Sequence, residues 1–217
     1  MSHTRAITAM CFYAQRIYTG SLDKTVRVWE LTETDCIQTL EGHTGAITCV
    51  DADAFKIISA SSDLQIRIWN ALAPFSCLQI VLGHTRSVLC VHKPPGAYFC
   101  TGSSDCELKV WQIVGTSSKP VKRVICKHSM LGHACSVTAV QMSAAEVVSG
   151  GADGRIIIWS ADDGTLLRVM KAHTGSVMCI RFDTIKIISG GESEKLLFLI
   201  LFFSVSKKKK QTNKLLF

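Results

Sequence analysis

Short apolar runs recur along the chain, each bounded by Gly, Ser, Asp or Pro. Between residues 42 and 82 they are Ala46-Ile47-Thr48-Cys49-Val50, Lys56-Ile57-Ile58-Ser59-Ala60, Gln65-Ile66-Arg67-Ile68-Trp69 and Ser76-Cys77-Leu78-Gln79-Ile80-Val81. Runs of this length, rich in β-branched residues and punctuated by turn formers, predict four strands. The inner runs carry apolar residues at both odd and even positions. Both of their faces should therefore be covered, as in a sheet sandwiched between two others.

The unit repeats. Tryptophans fall at 29, 69, 111 and 159, and histidines at 3, 43, 84, 133 and 173. Asp23, Asp63, Asp105 and Asp153 each precede a Trp by six residues and follow a His by 20 or 21. Four strands per roughly 40 residues, repeated in phase, point to four-stranded sheets stacked radially. Gly42-His43, Gly83-His84 and Gly132-His133, each followed by a Trp about 26 residues on, resemble the WD-repeat family. Ser2-His3 and Ala172-His173 are degenerate copies. The dipeptide that names the family is absent; its places hold Trp29-Glu30, Trp69-Asn70, Trp111-Gln112 and Trp159-Ser160.

The resemblance implies an all-β WD-repeat β-propeller with four full four-stranded blades plus part of a fifth, incomplete relative to a seven-bladed ring. The repeats run over about 2–41, 42–82, 83–131 and 132–171, with a partial copy at 172–191. Residues 192–217 form an apolar and polylysine tail that leaves the pattern: Ser193 stands in the place of the Asp and Leu199 in that of the Trp. Lys195 to Leu199 still align with a crude third strand. Three arrangements are open: a truncated, non-closing isoform, a ring completed by a second chain, or a five-bladed ring closed with the tail. The third copy is longer by about eight residues, around 115–128, which predicts an enlarged surface connection carrying Lys119, Lys122, Arg123 and Lys127.

Each copy contains a hydroxyl, a His and an Asp, which mimics a hydrolase triad. Four copies of one triad make no catalytic sense. The resemblance implies instead buried hydrogen-bond chains made of Trp29, Thr19, His3 and Asp23; Trp69, Ser59, His43 and Asp63; Trp111, Thr101, His84 and Asp105; and Trp159, Ser149, His133 and Asp153. A buried indole needs an acceptor and a buried carboxylate needs donors, so the chemistry agrees. Cys49, Cys90 and Cys179 share one repeat position with Ala9 and Ala139, a site that calls for a small buried side chain.

Composition narrows the function. Ten cysteines without a CxxC pair, and an N-terminus without an apolar core of signal-peptide length, predict free thiols inside the cell and no zinc. No cofactor or metal motif is present, and no apolar run reaches the ~20 residues of a membrane span. The net charge of +7 is uneven: residues 192–217 hold six Lys against two Glu, a net +4, which leaves +3 for the rest. That balance predicts no specific nucleic-acid surface. The expected function is a non-enzymatic protein–protein interaction scaffold or adaptor, cytoplasmic with the nucleus left open. Its partners are proteins or peptides, and self-association through open blade faces is a further expectation. The alternative is a substrate-recognition subunit of a ubiquitin ligase that reads a phosphopeptide. Candidate binding residues on the loop face are Arg5, Thr44, Ala46, Thr85, Arg86, Ser87, Ser136 and Ser176, with Leu22, Ser62, Ser104 and Ala152 beside them. Only Arg5 and Arg86 bring a guanidinium there.

Overall fold

A computed structural model describes residues 2–32, 35–115, 121, 123–183, 186–192 and 196–200, the last five by backbone alone. Blade 1 consists of β1 (Ile7–Tyr13), β2 (Arg16–Ser21), β3 (Val26–Glu30) and β4 (Cys36–Leu40). Blade 2 holds β5 (Ile47–Ala52), β6 (Lys56–Ser61), β7 (Ile66–Asn70) and β8 (Cys77–Val81). Blade 3 holds β9 (Val88–His92), β10 (Tyr98–Ser103), β11 (Glu107–Val114) and β12 (Arg123–Leu131). Blade 4 holds β13 (Val137–Met142), β14 (Glu146–Gly151), β15 (Arg155–Ser160) and β16 (Leu166–Lys171). Blade 5 holds β17 (Val177–Phe182), β18 (Lys186–Gly191) and β19 (Leu196–Ile200).

Within each blade, strands adjacent in sequence pair antiparallel. In blade 5, Ile187 pairs with Leu199 as Ile57 pairs with Trp69, so Leu199 occupies the register position of the missing Trp. The crude third strand expected at Lys195 to Leu199 is thus a paired strand one residue further on. Ser193, Lys195 and residues 201–217 lie outside the described residues. The extra residues of the third copy do more than enlarge a loop: β11 and β12 are the longest of their kind and pair as far as Val114 with Arg123. The connection expected around Lys119 and Lys122 lies outside the described residues. Lys127 sets its Nζ 4.9 Å from the Tyr98 ring centre, and the His128 ring nitrogen Nε2 meets the Asp162 carbonyl at 2.9 Å. Those two basic side chains serve the protein's own packing.

The core lies between blades. The first joint gathers Tyr18, Val26 and Val28 of blade 1 against Ile47, Val50, Ala52 and Ile57 of blade 2. Its key contact repeats. A Cβ added to Gly20 would lie 2.4 Å from Cγ2 of Ile47, one on Gly102 2.5 Å from Cγ1 of Val137, and one on Gly150 2.5 Å from Cγ1 of Val177. The glycine of one blade is a socket for the β-branched residue that opens the next blade's first strand. In blade 2, Ala60 takes the glycine's place and faces Val88 in one cluster.

The series ends in the open. Ile47, Val88, Val137 and Val177 are fully buried, while their counterpart Ile7 is 56 % exposed. Met10 and Phe12 are 71 % and 60 % exposed, where Val50 and Ala52 are buried. The blades form an arc, and the leading face of blade 1 is bare. Cys179 corrects the expectation of a small buried residue: Cys90 and Ala139 are buried and Cys49 half-buried, but Cys179 is exposed on the terminal blade.

A Gly102→Ala substitution should cost about 1–3 kcal/mol, because its methyl overfills a closed joint. Gly190→Ala, at the same position in blade 5, meets only Cys179 Sγ among the described residues and should cost much less. Urea unfolding of the two variants measures the contrast.

Candidate functional site

The loop before each first strand is tied to the turn between the second and third strands. In blade 2, His43 Nδ1 lies 2.8 Å from Asp63 Oδ2 and Nε2 lies 2.8 Å from Ser59 Oγ. The indole N–H of Trp69 donates to the same Ser59 Oγ at 2.9 Å. Trp111, Thr101, His84 and Asp105 repeat the chain with all three contacts at 2.8 Å. Trp29, Thr19, His3 and Asp23 do so at 2.7–2.8 Å. In blade 4, Ser149 accepts from Trp159 at 2.9 Å and meets His133 at 2.8 Å, while the His133–Asp153 contact lengthens to 3.2 Å. The indole can only donate, so the hydroxyl hydrogen is left to point at Nε2. The histidine then carries its proton on Nδ1 and gives it to the carboxylate.

The carboxylate does more. Asp63 also accepts from the backbone N–H of Thr44 at 2.9 Å and of Gln65 at 2.9 Å. Asp23, Asp105 and Asp153 accept from Thr4, Thr85 and Ala134 in the same way. One side chain therefore holds both the loop and the turn. In blade 5 the chain is cut short: His173 Nε2 meets Ser189 at 2.8 Å, and its buried Nδ1 has no partner among the described residues.

Burial lowers the pKa of His43, His84 and His133, and the paired carboxylates only partly offset it, so these rings are neutral. Burial works against Asp63, Asp105 and Asp153 as anions. The hydrogen bonds from backbone and His overcome it and hold their pKa values below the usual range. These hydroxyl–His–Asp sets are not exposed nucleophiles. Ser59, Thr101 and Ser149 are fully buried.

Two sets of cross-blade groups escaped the sequence reading. Each first strand bulges one residue after its plug, at Thr8, Thr48, Leu89, Thr138 and Met178. A bulge re-aims the side chain. Thr8 and Thr48 donate to the carbonyls of Ile47 and Val88 in the next blade, both at 2.5 Å, and Thr138 donates to that of Val177. Near the other end of the same strands, Asp51 accepts from the Lys93 N–H at 2.7 Å. His92 Nδ1 accepts from that of Met142 at 3.1 Å, and Gln141 from that of Phe182 at 2.7 Å. The only advance signal for either set was that these polar residues recur in phase.

These joints, chains and turns recur with the repeat that the sequence displays. The family described as WD domain, G-beta repeat matches residues 1–30, 34–70, 75–112 and 124–160. The chain belongs to the WD-repeat family. It is 30 % identical over 195 residues to the WD repeat-containing protein pop2 of Schizosaccharomyces pombe, a match covering 83 % of this chain and 24 % of that protein. To pop1 of the same yeast it is 26 % identical, covering 79 % and 22 %. To a ribosome biogenesis protein WDR12 homolog of Nematostella vectensis it is 29 % identical, covering 68 % and 42 %. The chain thus spans about a quarter of the pop proteins it matches.

The WD-repeat loop face is built with fixed backbone and free side chains. The carbonyls of Ala46, Ser87 and Ser136 accept from the N–H groups of Ser62, Ser104 and Ala152, and that of Ser176 accepts from Glu192. Leu22 donates likewise to Ala6. The carbonyls of Arg5 and Arg86 take the hydroxyls of Ser21 and Ser103 at 3.1 and 3.2 Å. Arg5, Thr44, Thr85 and Arg86 remain exposed, and Ala46, Ser87, Ser136 and Ser176 are half-exposed. No group of His, Cys, Asp and Glu among the described residues has the geometry of a metal site. No described helix is long and apolar enough to cross a membrane.

Asp63→Ala leaves a ring N–H and two backbone N–H groups without an acceptor. It should cost about 2–4 kcal/mol in chemical denaturation. Stability should also fall on acidification in two steps. A depressed folded-state pKa means that the unfolded chain binds the proton first, so stability is lost as pH falls. The histidines act below their unfolded value of 6.5 and the aspartates below 3.8. Melting curves between pH 8 and 3 check both steps.

Proposed function

We propose that the chain is a non-enzymatic protein–protein interaction scaffold that holds a protein or peptide partner on its loop face. The observation that carries this reading is the pairing of anchored backbone with outward side chains at Thr44, Thr85, Arg86 and their neighbours. Such a surface has its backbone ordered before binding and leaves only side chains to be fixed, which favours a rigid docking platform. The WD-repeat relatives support a general role in protein assembly. One relative's name, ribosome biogenesis protein, keeps the nucleus open as the site of action beside the expected cytoplasm. The bare face of blade 1 adds self-association to the reading.

A second reading is a phosphopeptide receptor of a ubiquitin ligase. It draws on the exposed side chains of Arg5 and Arg86, since a phosphate is best held by charge-assisted, bidentate contacts. The two arginines sit on blades 1 and 3, with no arginine on the blade 2 loop between them.

Affinity capture with the full chain, with and without phosphatase treatment of the lysate, separates the readings. The scaffold reading expects the main partner to survive treatment and Arg86→Ala to change its affinity less than about threefold, below 1 kcal/mol. Loss of the partner after treatment, together with a tenfold or greater loss in Arg86→Ala, supports the phosphopeptide receptor.

A further inference from the structure

The chain carries both halves of an unmade joint. Three filled examples define it: Ile47 in the Gly20 socket, Val137 in that of Gly102, and Val177 in that of Gly150. At one end of the arc, Ile7 is a plug without a socket, 56 % exposed on a strand that also exposes Met10 and Phe12, with Leu31 at the opposite end of the same blade. Leu31 is 55 % exposed, whereas its counterparts Ala71, Ile113 and Ala161 are buried. At the other end, Gly190 is a socket without a plug. Among the described residues a Cβ there would meet only Cys179 Sγ, at 2.9 Å. Plug and socket are not joined to each other among the described residues.

We propose that two copies of this chain associate head to tail, with Ile7 of one copy seated on Gly190 of the next. This rests on the reading of the bare blade faces as contact surfaces, and it names the surfaces and the register. The occupant is a second copy because the described residues supply both partners of a joint already made three times with the same residue types. The β1 plug and the β18 glycine would keep the places that plug and second-strand glycine hold in those three joints. The contact uses different patches on the two copies, so each pair still offers one free plug and one free socket. Two five-bladed arcs sum to about ten blades, beyond the four to eight of typical propellers. Growth should therefore be open-ended and should not stop at a closed pair.

Sedimentation velocity of the full chain across a hundredfold concentration range tests this. The weight-average mass should climb with concentration. Ile7→Asp buries a charge in the joint and Gly190→Val fills the socket. Each should weaken association at least about tenfold while leaving the melting temperature of the dilute chain near that of the wild type. Met10→Asp serves as a second plug variant. The decisive sample mixes the two: Ile7→Asp keeps its socket and Gly190→Val keeps its plug, so the mixture should form a capped pair that grows no further. Mass independent of concentration overturns the proposal. So does growth that persists in either variant, or a mixture that stays monomeric. None of these outcomes bears on the loop face, whose partner is read by affinity capture.

Discussion

A blade with two apolar faces buries both of them only between two others, and the other features of the molecule depend on that constraint. Fully burying an aliphatic side chain gains about 1.5–3 kcal/mol. Each joint buries several, with the glycine or alanine socket setting how closely the sheets approach. Stability is then a sum over neighbours, as in other repeat proteins. The same constraint explains the exposed Met10 and Phe12 and the exposed Cys179: they stand where the series of joints stops.

Polar groups refine what packing begins. Bulged threonines close one end of the first, second and fourth joints, and the Asp51, His92 and Gln141 side chains close the other end of the second, third and fourth. The Trp–hydroxyl–His–Asp chains act within a blade and fix the loops that face solvent. Burial lowers the pKa of His92 as it does those of His43, His84 and His133, so its Nδ1 stays an acceptor for the next blade. The proposed function draws on this rigidity: loops held by buried aspartates would offer side chains to a partner on a backbone that is already ordered.

Much of this was legible in the sequence. The in-phase Trp, His and Asp marked the blades and their order, because a repeated structural demand leaves a repeated residue, and the buried chains came with the resemblance to the WD-repeat family. The cross-blade bonds were not legible. Thr8 and Thr48 read as ordinary strand residues, since a bulge leaves no mark in a hydrophobic pattern. Asp51, His92 and Gln141 do one job with three chemistries, which hides them from a search by residue type. The long third copy read as a loop, whereas part of its extra length went into β11 and β12, whose pairing runs to Val114 and Arg123. The exposure of Cys179 was missed because a repeat position predicts burial only where a neighbour exists. The loop face was legible as a place, from Thr44, Thr85 and Arg86, but its partner is not written in such small polar residues.

Native-state hydrogen exchange on the dilute full chain, resolved by segment, tests the dependence on neighbours most directly. Blades 2 to 4, covered on both faces, should show the highest protection and open as a cooperative unit, while β1 and blade 5 exchange through lower-energy openings. Protection of β1 equal to that of β9 in the dilute chain would contradict the account, because it would mean that baring one face costs a blade no stability.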